Sequence, residues 1–337
     1  MQAWVVKSYD GIDGLERRTL PSPSALAPEQ VLVRLRAASL NYRESLLLKG
    51  AYAQWCKPGF ILGSDGAGEV AEVGAGVWRV KPGDRVALTF HPHWFGGAYT
   101  HSPAFLGRGG SVDGVLADYT CVSENELVHL PPHLSFEEGA SLPCAAVTAW
   151  SALCGNATLL PGQSVLVQGS GGVSILALQF AKLFGARVIA TSSSDEKLAE
   201  LRRLGADEGI NYIKIPNWSE EVLRVTNGVG VDVVVEVGGA RTFSQSVAAT
   251  AQCGRISMVG LLSGVPDVGS DVFMRGLTLH TIRVGSRENF EQMNRAIAVN
   301  NLRPVIDQVF DFAAVPDALR RLESGRHVGK VVIRHAA

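Results

Sequence analysis

The stretch VLVQGSGGVSILALQFAK, Val165 to Lys182, joins a short run of strand-forming residues to an amphipathic helical pattern through a glycine-rich turn. Residues 165–168 lead directly into Gly169-x-Gly171-x-x-Ser174. A helix that starts at such a turn aims its first backbone N–H groups and its dipole at an anion. Ser174 stands where the strict pattern has a third glycine, small enough for close helix–strand packing. A lone turn of this kind would be an ordinary tight turn; its surroundings decide the reading.

Those surroundings repeat the unit. From Ser164 onward, strand and helix alternate: SVLVQ then VSILALQFAKLF, RVIAT then DEKLAELRRL, EGINY then WSEEVLRV, VDVVVEV then RTFSQSVAATA, followed by RISMVGLL and LTLHTIRVG. Alternation of this kind predicts right-handed crossovers and a doubly wound parallel sheet, an α/β domain of the Rossmann type that binds a dinucleotide.

The chain before it has another texture. From Met1 to about Pro131 short strands (AWVVK, VLVRLRA, EVAEVG, DRVAL, LADYTCV) are divided by Gly and Pro, as in an irregular antiparallel β domain. At SFEE, Ser135 with Glu138 forms a capping box that opens a helix with a break at Pro143. After Gly285 come a helix (NFEQMNRAIAVN), a short strand, a second helix (VPDALRRLES) and a last strand, VGKVVIRH, which return to the first domain. The expected division is therefore 1–131, 132–285 and 286–337.

Composition narrows the function classes. With 31 basic and 32 acidic residues the net charge is −1, so no overall electrostatic footprint points to nucleic acid or an anionic membrane. No run of eighteen apolar residues predicts a membrane span. The five cysteines are scattered, without CxxC spacing, which argues against a disulfide framework and suggests a reducing, cytoplasmic setting. The N-terminus, MQAWVVKSYDG, shows no signal-peptide pattern.

The second strand of the alternating region selects the cofactor. An NAD site wants a carboxylate at that strand's end for the ribose hydroxyls, whereas a 2′-phosphate is repelled by a carboxylate and wants a cation and hydroxyl donors. Here the strand ends at Thr191-Ser192, and Asp195 and Glu196 follow one helical turn later, where they supplement the dipole of the next helix. Ser192, Lys197 and Tyr212 could together enclose a phosphate, so NADPH is the expected cofactor. The alternative is that Lys197 is a solvated helix lysine.

The motif order NYRE, LGSDGAGEV, VKPGDRV, LPCAAVTAW, GSGGVSILALQFAK, ATSSSDEK, GINY and GKVVI resembles the zinc-independent branch of the medium-chain dehydrogenase/reductases, near the quinone oxidoreductases and zeta-crystallin-like proteins, over about Ala3 to Ile333. The resemblance implies a GroES-like β domain interrupted by a Rossmann domain, with the active site in the cleft between them and Ser192, Lys197 and Tyr212 as the 2′-phosphate pocket. It also implies cofactor contacts from Asn41, Thr148, Gly169, Ser170, Gly171, Gly172, Val173, Gly238, Leu261 and Lys330. Asn41 and Tyr52 would face the nicotinamide, Asn41 donating a hydrogen bond to ribose or a substrate carbonyl and Tyr52 offering a phenol as orienting group or proton source. Structural alternatives are a turn cap for Asn41 and a packed aromatic for Tyr52.

The zinc-type alcohol dehydrogenases place a Cys-His pair where this chain has Leu40-Asn41-Tyr42-Arg43, and Gly-His-Glu where it has Gly63-Ser64-Asp65; of those ligand positions only Cys144 is retained. A single thiolate cannot hold a catalytic zinc that needs three protein ligands. Residues 90–115 lack the cysteines of a structural zinc lobe but carry His91, His93 and His101, read as ordinary polar or pocket-lining groups before a new metal site. The expected activity is a metal-free, NADPH-dependent reduction of quinones or α,β-unsaturated carbonyls by a homodimer that pairs through LTLHTIRVG. A zinc alcohol dehydrogenase and a non-catalytic NADPH-binding redox sensor are the alternatives.

Overall fold

The computed structural model describes every residue except Ser24, His101 to Ala104, Leu106, Asn156, Ala336 and Ala337. The chain divides into two compact units: Met1–Val147 with Gly285–Ala337, and Thr148–Val284.

The first unit opens with β1 (Gln2–Val6) antiparallel to β2 (Leu15–Thr19). There follow β3 (Gln30–Ser39), α1 (Tyr42–Leu48), β4 (Asp65–Val73), β5 (Arg85–Leu88), β6 (Tyr119–Ser123), β7 (Leu127–His129) and α2 (Phe136–Ala140). In β3, Val31, Val33 and Leu35 point into the core while Arg34 and Arg36 do not, the two-residue alternation of a half-buried strand. The Ser135–Glu138 capping box is present: Ser135 N–H donates to Glu138 Oε2 at 2.7 Å and Glu138 N–H to Ser135 Oγ at 3.2 Å. The helix stops at Ala140, and one turn of π-helix over Leu142–Ala146 absorbs Pro143, whose nitrogen has no hydrogen to donate.

Segment 132–147 stays with the first unit, so the boundary follows Val147 and not Pro131. The reason is bonding to distant parts of the first unit, which the change of texture does not reveal. Ser39 Oγ donates to the Ala140 carbonyl at 2.8 Å, and Arg334 Nε pairs with Glu137 Oε1 at 2.7 Å.

The second unit runs α3 (Val147–Cys154), β8 (Ser164–Gln168), α4 (Gly172–Leu183), β9 (Arg187–Ser192), α5 (Asp195–Arg203), β10 (Glu208–Asn211), α6 (Trp218–Val225), β11 (Val231–Glu236), α7 (Phe243–Ala249), β12 (Thr250–Met258), α8 (Ser270–Met274) and β13 (Thr278–Thr281). All its strand pairs are parallel, in the order β10-β9-β8-β11-β12-β13. This is the 3-2-1-4-5-6 order of a dinucleotide-binding sheet, in which the connections reverse direction between β8 and β11. Helices cover β8 and β11, whose Val165, Leu166, Val167, Val234 and Val235 are wholly buried.

The chain then returns to the first unit through α9 (Arg287–Asn300), β14 (Ile306–Asp311), α10 (Val315–Glu323) and β15 (Lys330–Arg334). β15 lies parallel to β14 and antiparallel to β3, with Val332 opposite Ser39. Strand β7 and helices α1 and α8 have no counterpart in the periodicity; each is three to seven residues long, too short for a period to register. Among the described residues no helix is long and apolar enough to cross a membrane.

Candidate functional site

The glycine turn between β8 and α4 is built to leave backbone exposed. Gly169 has φ +77°, a left-handed conformation that a side chain would strain, and its N–H donates to the Thr191 carbonyl at 2.7 Å. Gly171 is the N-cap of the twelve-residue α4, and no side chain caps that helix. A Cβ at Gly171 would meet nothing within 4 Å. The opening N–H groups of Gly172 and Val173 thus face space that a diphosphate can fill, and the turn fits a dinucleotide. Ser174 explains its place: its hydroxyl donates to the Gln168 carbonyl at 2.6 Å, locking helix to strand where the strict motif relies on a glycine. Ser170 is buried beside it. Thr148 is buried at the start of α3.

At the end of β9, Ser192 is buried and its carbonyl accepts from the Tyr212 N–H at 3.0 Å. Lys197 is half-buried in the first turn of α5, where its N–H donates to the N-cap Ser194 Oγ at 3.3 Å. Tyr212 does not end β10; it sits in the turn one residue beyond, 39% exposed. Asp195 does more than face the helix dipole. Asn211 Nδ2 donates to its Oδ1 at 2.7 Å and Lys214 Nζ pairs with its Oδ2, and these two contacts hold its carboxyl below the ordinary range. Lys214 thereby joins Lys197 as a second cation near this corner, and the only hint of it in the sequence is its place two residues after Tyr212.

Farther along the same edge, Gly238 N–H donates to Glu236 Oε1 at 2.7 Å, and a Cβ at Gly238 would lie 2.3 Å from Thr242 Oγ1, so only glycine fits. Leu261 lies 53% exposed in the facing turn, which is tied to Gly238 through Ser263 N–H at 2.8 Å.

In the first unit three distant segments meet. Asn41 caps α1, and its N–H donates to Glu44 Oε2 at 2.6 Å. Lys330, buried at the start of β15, donates from Nζ to Asn41 Oδ1 at 2.5 Å and to the Leu40 carbonyl at 2.8 Å, and lies 3.7 Å from Asp65 Oδ2. An ammonium only donates, so the amide oxygen must face it and the orientation of Asn41 is fixed. Asn41 Nδ2 then donates to Ser64 Oγ at 3.2 Å, and Ser64 lies within hydrogen-bond reach of Glu44 Oε1 at 2.9 Å and Asp65 Oδ1 at 3.1 Å. Glu44 is completely buried, and desolvation raises its pKa against the lowering effect of Arg43. Burial, reinforced by the Asp65 charge, pushes the Cys144 thiol far above its ordinary range and keeps it neutral.

Tyr52 stands apart from this network. It begins a short 3-10 turn, stacks on Trp55 with ring centroids 6.3 Å apart, and packs partly buried against the core. His91 is buried among Phe90, Trp94 and Tyr99, with ring centroids 4.7, 5.7 and 5.0 Å away, and His93 lies against Phe105 at 6.3 Å. His101 lies outside the described residues. Among the described residues no group of three or more His, Cys, Asp or Glu side chains is placed to hold a metal ion.

Residues 27–132 match the alcohol dehydrogenase GroES-like domain and residues 172–299 the zinc-binding dehydrogenase domain. A zinc-type alcohol dehydrogenase-like protein of Schizosaccharomyces pombe is 42% identical, the match covering 96% of each chain. The chain belongs to the zinc-type alcohol dehydrogenase superfamily, the medium-chain dehydrogenase/reductases. Within this superfamily an acryloyl-coenzyme A reductase of Metallosphaera sedula is 32% identical over 99% of both chains. The crystal structure of a putative alcohol dehydrogenase from Sinorhizobium meliloti superposes with a TM-score of 0.92 at 37% identity, covering 99% of this chain and 98% of the other. A medium-chain oxidoreductase is what fold, glycine turn and relatives agree on.

Proposed function

We propose that this medium-chain oxidoreductase reduces quinones or α,β-unsaturated carbonyls with NADPH and works without zinc. The observation that carries the proposal is the Lys330–Asn41 clamp. At the three positions where the zinc-type enzymes hold their catalytic metal, this chain has an amide oxygen already claimed by an ammonium, a serine hydroxyl engaged with carboxylates, and a single thiol, Cys144. Zinc wants three thiolate, imidazole or carboxylate ligands and one open position, and this donor set does not fit it.

A nicotinamide cofactor, when bound, would supply a hydride. The Gly169–Val173 turn and α4 would hold the diphosphate, and Ser192, Lys197 and Tyr212, joined by Lys214, would receive the 2′-phosphate as hydroxyl donors and cations. Asn41 keeps one Nδ2–H beyond its bond to Ser64, and Lys330 orients that donor for a substrate oxygen. Conjugated carbonyls suit such a site, because the charge that develops on reduction spreads over a delocalised system and a few neutral donors stabilise it. A simple alcohol needs its proton removed, which a metal assists by lowering the pKa of a bound oxygen by roughly nine units, worth about 12 kcal/mol. The hydrogen bonds available here are worth about 1 kcal/mol each. Tyr52, outside the network, fits the role of a packing residue that lines the site, and water is the proton source.

The names of the yeast and rhizobial relatives favour a second reading, alcohol oxidation. A panel of quinones, alkenals and alcohols assayed with NADPH and NADH separates the two: the proposal expects steady NADPH oxidation with the conjugated carbonyls and feeble turnover of ethanol or benzyl alcohol. Two further features complete the reading. β13 ends its sheet, and Val265, Val268, Phe273 and Met274 just before it are exposed, which suits a homodimer formed across that edge. Five free cysteines suit a reducing, cytosolic compartment.

A further inference from the structure

The central strand β11 of the second unit ends in a buried carboxylate that neither the glycine turn nor the phosphate corner explains. Glu236, the last residue of β11, is fully buried and accepts five hydrogen bonds. Its Oε1 receives Gly238 N–H at 2.7 Å, Gly239 N–H at 3.0 Å and Thr242 Oγ1 at 2.6 Å. Its Oε2 receives Gln168 Nε2 at 2.8 Å and the Ser246 hydroxyl. Gln168 is the last residue of β8, and its Oε1 accepts from Val237 N–H at 3.2 Å. The Gln168–Glu236 bond therefore spans β8 and β11, where the sheet order reverses and a dinucleotide would lie.

Every one of these donors is neutral, and among the described residues Glu236 takes part in no ion pair. Neutral donors bond a carboxylate without cancelling its charge. Buried behind the carboxyl edge of the sheet, that charge is screened little by salt and acts through a low dielectric. The two states of the cofactor differ there in one respect: the oxidised nicotinamide ring carries a positive charge and the reduced ring none. Their phosphates carry the same charge, so repulsion between Glu236 and the phosphates cancels when the two forms are compared.

From this geometry we infer that Glu236 sets the redox preference of the cofactor site, its uncompensated charge favouring the oxidised over the reduced nicotinamide. It does so from behind the Val237–Gly239 backbone, as a residue that tunes the site without touching the reacting atoms. The inference rests on the nicotinamide reading of the site given above. It also gives a bound reductase a reason to carry a buried anion at this place: the charge draws the ring toward the state left after hydride has gone.

Isothermal titration calorimetry of the full chain with NADPH and with NADP⁺ tests it. Glu236→Gln keeps the shape and removes the charge, and should raise the ratio of Kd for NADP⁺ to Kd for NADPH roughly tenfold. Glu236→Asp keeps the charge and withdraws the carboxylate from the Gly238–Gly239 turn, so both Kd values should rise while their ratio stays as in the unmodified chain. A merely structural Glu236 would move both Kd values in parallel in the Gln variant, and that result overturns the inference; so does a changed ratio in the Asp variant, which stands alone as the test if circular dichroism shows the Gln variant unfolded. Failure of the unmodified chain to bind either form would remove the nicotinamide reading itself and the inference with it.

Discussion

The glycine turn of the second unit and the Asn41 cluster of the first do comparable work with opposite architectures. The turn is local: Gly169, Gly171 and Ser174 lie within six residues of one another, and the left-handed backbone at Gly169 follows from its own residue type. The cluster is assembled from a helix start at Asn41, a strand start at Ser64-Asp65 and a strand start at Lys330, which only the return of the chain after the second unit brings together. A local motif survives changes elsewhere; an assembled one depends on every segment that builds it. The cluster should therefore couple function to stability, and the turn should separate them.

The largest effect is expected from Lys330→Met. Removing the ammonium leaves Asp65 buried without its cation and frees the Asn41 amide, at a cost of about 3–5 kcal/mol in urea unfolding. A loss below about 1 kcal/mol would break the comparison.

A second probe of the first unit is acid. His335, packed on Phe312 at the end of β15 with ring centroids 4.8 Å apart, has its pKa pushed down by burial from 6.5 to about 4. Between those values the unfolded chain binds a proton that the folded chain refuses, so stability should fall as pH drops from about 6.5 to 4, by about 3 kcal/mol in all. His335→Gln should flatten that slope in urea titrations at pH 7 and pH 5. An unchanged slope would assign the acid sensitivity to other groups.

Gly171→Ala tests the turn. The backbone there is ordinary, with φ −75°, and the added Cβ meets no protein atom, so the melting temperature should hold. The methyl enters the space reserved for phosphate, and nucleotide affinity should fall on the order of a hundredfold, about 2.7 kcal/mol. Weakened stability with intact binding would invert the comparison. The smallest effect concerns the corner of the site: Lys197→Ala should cost about 10- to 100-fold in kcat/KM with NADPH and little with NADH. Equal losses with both cofactors would move the 2′-phosphate elsewhere.

The same contrast explains what could be read in advance. The second unit's strand–helix alternation, the Gly169–Gly171 turn and the absence of a carboxylate at Ser192 are properties of short segments, and periodicity reports them. The partners of Asn41 could not be seen that way, because nothing near residue 41 encodes that Lys330 will stand against it. Lys214 and Glu236 escaped for a similar reason. A lysine two residues past Tyr212 gains meaning only through Asp195, and a strand-ending glutamate only through Gln168 across the sheet. Pro131 marks a change in texture, whereas the hydrogen bonds of Ala140 and Glu137 hold the segment that follows it to the first unit.

In the proposed reaction an ammonium-clamped amide, and no zinc ion, meets the substrate. The direct measurement is NADPH oxidation with a quinone or an alkenal by protein dialysed against EDTA, with the zinc content of the same sample determined by elemental analysis. Full activity at far less than one zinc per chain is expected. Activity lost on dialysis, restored by stoichiometric zinc and accompanied by alcohol oxidation would contradict it.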